Sequence, residues 1–213
     1  MRKLFYIAVE GPIGVGKTSL ANLISKELGA RIVLEQFEEN PFLPEFYKDP
    51  EHYSFQTQLF FLLQRYRQQQ ELKQVDMFQN LLITDYLFVK DRLFASLNLN
   101  EKEMLLYDTV ANLLEKNIIQ PDLVIYLQAD SETLMKNIAR RGREMEEDIS
   151  KDYIDALSQV YTEYFFRYQD SPLVIINTNN IDFVHNENDL KEIINFIRKP
   201  VSGTKFFNPV TDI

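Results

Sequence analysis

The sequence predicts an α/β protein built on a parallel sheet of five strands with helices on both faces, and three observations carry that expectation. Apolar, strand-like runs alternate with helix-periodic segments along nearly all of the 213 residues, the pattern that yields βαβ units with right-handed crossovers. The first run, residues 4–10, leads straight into Gly11-Pro12-Ile13-Gly14-Val15-Gly16-Lys17-Thr18-Ser19, which fills the pattern G-x-x-x-x-G-K-[ST]. Leu20, Leu23, Ile24 and Leu28 then recur at helical spacing. In such a strand–loop–helix the glycines let backbone N–H groups curl around a phosphate, Lys17 adds a point charge, and the helix turns its positive end toward the anion. Thr18 supplies a hydroxyl suited to Mg²⁺. A P-loop NTPase-type sheet is therefore expected.

Composition narrows the classes. At 213 residues, 45% hydrophobic and 26% charged, the chain suits one soluble domain over residues 1–213, with no second domain expected. No run approaches the ~18 apolar residues of a membrane span. Met-Arg-Lys followed by six apolar residues reads as a core strand and not as a signal peptide. The absence of cysteine excludes disulfides and thiolate metal sites and fits a cytoplasmic location. A net charge of −9 argues against a nucleic-acid polymer as partner, since such binders present a basic face. Any nucleotide bound here is expected to be small.

Further along, Gly29 stops the first helix, and Arg31-Ile32-Val33-Leu34 reads as a short second strand. Glu35 then stands at a strand's carboxyl end, where open α/β sheets place ligands; a solvated loop carboxylate is its alternative. Pro41, Pro44 and Pro50 punctuate an aromatic segment with Phe42, Phe46, Tyr47 and Tyr53. A helix is expected over residues 54–74, apolar all round at Leu59-Phe60-Phe61-Leu62-Leu63 and so buried on several sides. Gln58 and Arg65 are seven apart and project from one face. They either meet a ligand together or form a satisfied buried pair or interface contact.

Leu81-Leu82-Ile83-Thr84 reads as strand three, ending in Asp85-Tyr86, with Asp91-Arg92 just beyond. Helical sequence follows to Asn117, with a break and a cap near Asn98-Leu99-Asn100 and a stripe of Leu105, Leu106, Val110, Leu113 and Leu114 read as core packing. Residues 123–128 are apolar enough for a mid-sheet strand. Ser131-Glu132-Thr133 opens a helix that reaches Arg140-Arg141-Gly142-Arg143, read as a hinged, Arg-rich lid. Residues 153–168 are helical, residues 173–176 form the fifth strand, and residues 190–197 form a last amphipathic helix. His52 and His185 suggest no ligand cluster.

The P-loop binds a phosphoryl donor, and the rest of the chain must name the acceptor. The N-K-x-D motif of switch GTPases is missing. A small chain with an Arg-rich lid after its fourth strand points to a kinase of nucleosides or nucleotides, whose lid arginines neutralise charge on the transferring phosphoryl group. Taken in order, the P-loop, Leu34-Glu35, Glu39-Asn40-Pro41-Phe42-Leu43, Phe46-Tyr47-Lys48-Asp49-Pro50, Ser54-Phe55-Gln56-Thr57-Gln58, Asp85-Tyr86-Leu87-Phe88, Lys90-Asp91-Arg92-Leu93-Phe94-Ala95 and the lid resemble the deoxynucleoside kinase family. The likeness is to its bacterial branch of deoxyadenosine and deoxyguanosine kinases and runs through nearly the whole chain.

The resemblance implies Mg²⁺ and ATP as phosphoryl donor, with Glu35 as general base for the 5′-hydroxyl and Tyr47 on the sugar 3′-hydroxyl. It puts Gln58 on the base, Arg65 and Asp91 in the base pocket, Asp85 with Tyr86 near the acceptor and, with Thr18, near Mg²⁺. Arg141 and Arg143 fall on the phosphates and Glu146 beside the sugar. Many members have Glu-Arg-Ser where this chain has Asp85-Tyr86-Leu87, and an arginine where it has Asn137; Arg92, Lys136 and Arg140 are the candidate substitutes. The polar trio Gln58, Arg65 and Asp91 favours a purine deoxynucleoside over thymidine. A homodimer is expected through residues 59–63 and 105–114. Rivals are a nucleoside monophosphate kinase of the thymidylate kinase type, disfavoured because residues 35–58 offer only Lys48 to an acceptor phosphate, and a P-loop regulator without turnover.

Overall fold

The computed structural model describes residues 6–74 and 81–207; residues 4 and 5 of the expected first strand lie outside them. The elements are β1 (Tyr6–Glu10), α1 (Lys17–Leu28), β2 (Arg31–Val33), α2 (Leu43–Lys48), α3 (Pro50–Gln74), β3 (Leu82–Thr84), α4 (Lys90–Asn98), α5 (Glu101–Glu115), β4 (Leu123–Gln128), α6 (Ser131–Arg141), α7 (Lys151–Phe166), β5 (Leu173–Asn177), α8 (Glu187–Ile197) and β6 (Thr204–Phe207). The strands run in the order β2-β3-β1-β4-β5-β6, and every neighbouring pair is parallel. The expected architecture stands, but with six strands and not five. Thr204-Lys205-Phe206-Phe207 is a short edge strand, exposed at its first three residues, so it lacks the apolar run that marks a buried parallel strand.

β1 shows why helices cover both faces. Its side chains alternate: Ile7 and Val9 pack with Leu20 and Ile24 of α1, Leu134 and Ile138 of α6, and Ile193 and Ile197 of α8. Tyr6 and Ala8 face Leu93 of α4 and Leu157, Tyr161 and Phe165 of α7.

α3 begins with Pro50 at its first helical position, where the missing N–H is no loss. Its apolar run is shared between neighbours: Leu62 packs with Tyr107 and Ala111 of α5, and Phe61 with Leu43 and Phe46 of α2. Asn100 caps α5 through a capping box, accepting from the N–H groups of Lys102 and Glu103 while Glu103 accepts from the N–H of Asn100. The expected core stripe of α5 needs correction. Leu105, Leu106 and Leu113 are 72%, 53% and 64% exposed, and Tyr107 and Ala111 fill the core instead. The leucine spacing located an apolar face but not the side of the helix turned toward the protein.

Candidate active site

The P-loop is held from beneath. A Cβ at Gly14 would meet the carbonyl oxygen of Leu134 at 2.7 Å, and Gly14 has φ 83°, so both the space and the backbone demand glycine. Lys17 Nζ donates to the carbonyls of Gly11 (2.8 Å) and Pro12 (3.0 Å). Glu10, fully buried at the end of β1, braces the base of the loop. Its Oε1 accepts from the N–H of Gly11 (2.8 Å) and the Tyr161 hydroxyl (3.1 Å), and its Oε2 accepts from the N–H of Leu87 (2.7 Å). Burial pushes the Glu10 carboxyl up, while the charges of Lys90 and Lys17 hold it back. Burial, then the like charge of Lys90, lowers Lys17 to about 8. Sequence reading missed Glu10 because a glutamate closing an apolar strand looks like a solvated strand end.

Beside the loop opens a cavity of about 340 Å³ between the end of β2, α2, α3, α4 and the lid. At its P-loop end, Thr18 Oγ1 donates to Asp85 Oδ2 (2.5 Å), and Asp85 Oδ1 accepts from the N–H of Glu35 (2.8 Å). The Glu35 carboxylate binds Arg65 through Oε1 and Lys90 through Oε2. Burial alone would raise Glu35; Lys90 and then Arg65 outweigh it and hold the carboxyl well below the usual range. Arg65 also pairs with Asp91, and its guanidinium lies over the rings of Phe61 (5.1 Å) and Tyr86 (5.8 Å). Gln58, two turns earlier on the same face of α3, and Tyr47 line the same cavity.

The loop bearing Glu35 is pinned by α3. Gln64 Nε2 donates to Gln36 O and Glu39 Oε2 (both 2.9 Å), and Gln68 Nε2 to Leu34 O (3.3 Å). These glutamines sit one turn apart on the helix and were legible only as part of a polar helical run.

The lid folds over from α6. Gly142, left-handed at φ 63°, ends that helix, and the two flanking arginines converge on Glu146. Arg141 Nη2 lies 2.5 Å from Oε2, and Arg143 Nη1 lies 3.2 Å from Oε1. Arg143 also stacks 3.9 Å from the centroid of Phe37. A second cavity of about 510 Å³ runs over residues 14–19, beneath Asn137, Arg140, Arg141 and Arg143, and ends against Asp182 and Phe183.

Most of the sequence-predicted residues are thus brought to these two cavities, Ile13 lining the first and Ser19 the second. Three lie outside both: Gly11 and Pro12, whose carbonyls hold the Lys17 ammonium, and Tyr86, which is wholly buried and packs beneath Arg65 because its aromatic ring is retained by the core. Among the candidate substitutes for the missing cations, Arg92 turns away to Asp108 (2.7 Å) and Glu115 of α5, and Lys136 is exposed on the surface of α6. Arg140 lines the donor-side cavity. Asn137 donates to the carbonyl of Gly14 at 2.9 Å, so it supports the loop without adding charge.

The hydroxyl of Thr18 against the carboxylate of Asp85 is a hard oxygen pair, which fits Mg²⁺ bound through few protein ligands and substrate phosphates. Among the described residues no group of His, Cys, Asp and Glu forms an all-protein metal cage. No helix among them is long and apolar enough to cross a membrane.

A parallel sheet with a P-loop at its switch point, a basic lid and a polar second pocket meeting the loop at one carboxylate defines a P-loop phosphotransferase for a small acceptor. The family model for deoxynucleoside kinases matches residues 7–202. A deoxyguanosine kinase of Bacillus subtilis is 31% identical over 199 residues, 91% of this chain and 96% of the relative. A deoxyadenosine kinase of Lactobacillus acidophilus is 33% identical over 202 residues, covering 88% and 92%. The deoxyadenosine kinase structure from M. mycoides with bound dATP superposes with a TM-score of 0.81 at 28% identity, covering 91% of this chain and 100% of the other. The chain belongs to the deoxynucleoside kinase family, and its activity is that of an ATP-dependent deoxynucleoside phosphotransferase.

Proposed function

We propose that this kinase transfers the γ-phosphoryl group of ATP, with Mg²⁺ at Thr18 and Asp85, to the 5′-hydroxyl of a purine deoxynucleoside in salvage. The observation that carries the reading is Arg65, which joins Asp91 at the base end of the cavity to Glu35 at the P-loop end. A nucleoside laid along that line has its base at Gln58, Arg65 and Asp91, its sugar by Tyr47 and Glu146, and its 5′-hydroxyl at Glu35. Lys17 and the lid arginines then take the phosphates. Glu35, held ionised by two cations, is a weak base that orients the hydroxyl and receives its proton late, which suits a loose transition state dominated by positioning.

Gln58 offers a donor and an acceptor side by side, and Arg65 a donor fork suited to purine acceptors. Thymine presents O4 and a methyl group, leaving a buried charge poorly matched at about 1–3 kcal/mol, or about 5- to 150-fold in kcat/KM. Competition among the four deoxynucleosides tests this: a purine nucleoside is expected to win, and thymidine as best substrate overturns the base-pocket reading. The same reading has the chain act as one domain, in the cytoplasm, and as a homodimer. Leu63 of α3 and Leu105, Leu106 and Leu113 of α5 are 49–72% exposed, and exposed leucines on two neighbouring helices suit an isologous helical contact.

A further inference from the structure

The acceptor end of the site contains a cation to which neither the sequence motifs nor the reading above gives a task. Lys90 opens α4, is 7% exposed, lies 5.7 Å from the centroid of Phe94, and places its ammonium on Glu35 Oε2. It lines the same cavity as Lys17 and Thr18. Burying an ammonium there is costly unless anions answer it. Among the ion pairs of the described residues Lys90 answers to Glu35 alone, a carboxylate it shares with Arg65, whereas the arginines nearby have carboxylates of their own. Arg65 is shared with Asp91, and Arg141 and Arg143 rest on Glu146. Arg92 is turned to α5, and Tyr86 brings no charge. Two lysines in one small cavity repel each other and favour an anion between them.

We propose that Lys90 is a catalytic residue of this kinase: its ammonium leaves Glu35 Oε2 when the acceptor hydroxyl takes that oxygen, and comes to rest on the transferring phosphoryl group. The inference rests on the reading of Glu35 as the acceptor contact. A lysine suits such a move, being a compact charge on a flexible four-carbon stem. In the step, the 5′-oxygen bonds to the γ-phosphorus as the bond from that phosphorus to the β–γ bridging oxygen breaks. The hydroxyl proton passes to Glu35, ADP departs with the electron pair of the broken bond, and Lys90 keeps its proton. Its charge meets the equatorial oxygens most strongly as the transferring group loosens, so the interaction acts on kcat and little on acceptor binding.

The experiment compares Lys90→Gln, Lys90→Arg and the wild-type chain for kcat, the KM values and directly measured acceptor Kd, with thermal unfolding as the check on folding. Lys90→Gln is expected to lower kcat about 10²-fold while acceptor Kd moves less than about threefold, and Lys90→Arg to recover at least about tenfold of that loss. Should Lys90→Gln not fold, Lys90→Met, which keeps the apolar stem, replaces it. In a Glu35→Gln background, Lys90→Gln is expected to cost a further tenfold or so, because the ammonium touches phosphate and does not act through Glu35 alone. A kcat within about threefold of wild type, a loss confined to acceptor KM, or no further loss in the Glu35→Gln background overturns the proposal. A wild-type chain that phosphorylates no deoxynucleoside overturns the functional reading beneath it, and the two failures are told apart by the wild-type assay alone.

Discussion

Replacing Glu35 by glutamine probes the acceptor end of the site with minimal change in shape. The amide keeps an oxygen for the 5′-hydroxyl but cannot accept its proton, and its NH₂ is turned toward one of two cations, Arg65 or Lys90. Arg65 retains Asp91, whereas Lys90 loses the carboxylate it touches and keeps the more distant charge of Glu10. Breaking a fully buried ion pair costs about 3–5 kcal/mol. The Glu35 side chain is 14% exposed and one of its partners stays paired, so we expect about 1–3 kcal/mol, or roughly 2–12 °C in Tm for a chain of this size.

Turnover should fall further. General-base contributions span about 10²- to 10⁴-fold. Positioning dominates phosphoryl transfer, so the lower half applies, about 2.7–4 kcal/mol of barrier. Acid provides a second handle. The folded-state carboxyl is held below its unfolded value by Lys90 and Arg65 against burial. The stability it contributes is therefore present above the unfolded pKa of about 4.3 and is lost as pH falls. The gap in Tm between wild type and Glu35→Gln should begin to narrow below about pH 4 and shrink further as pH falls. Steady-state kinetics with saturating ATP, isothermal titration of the acceptor and melts across pH make the assay. An unchanged kcat for Glu35→Gln, with activity abolished instead by Asp85→Asn, would assign the base to the wrong carboxylate, and a gap that widens in acid would refute the ion-pair account.

Lys17→Ala should abolish turnover in a chain whose melt is essentially that of wild type, since the lost charge acts on donor phosphates; near-normal kcat in a folded variant removes the P-loop assignment. Because burial and Lys90 lower Lys17 to about 8, and phosphates restore its proton, ATP binding should take up a proton above pH 8 and weaken as pH rises. Calorimetry at alkaline pH in buffers of different ionisation enthalpy checks this, and zero proton uptake counts against it. Glu10→Leu strands the N–H groups of Gly11 and Leu87 and the hydroxyl of Tyr161; denaturant melts should show a loss of about 3–5 kcal/mol, and a loss below about 1 kcal/mol denies Glu10 its bracing role. Leu105→Glu with Leu113→Glu should convert a dimer to a monomer in analytical ultracentrifugation. A wild-type chain that sediments as a monomer at all concentrations ends the dimer proposal.

What the sequence determined by itself is whatever depends on neighbours along the chain. Residues 11–18 specify a phosphate loop because spacing and backbone freedom are local, and Asn100 with Glu103 specifies a helix start for the same reason. The buried strands were legible because side chains enclosed on both faces read as apolar runs. The edge strand at residues 204–207 was not, since one open side removes that mark. Likewise the leucines of α5 announced an apolar face without saying whether the core or a second chain covers it.

The tertiary structure alone decided the electrostatics. Glu35 finds Arg65 thirty positions away and Lys90 fifty-five away, and Glu10 reaches Leu87 and Tyr161 across seventy-seven and one hundred and fifty-one. It also decided that Tyr86 is core and that Arg92 serves α5. Charge–charge energies depend on distance and on how much water the fold excludes, and neither quantity exists until strands far apart in sequence lie side by side.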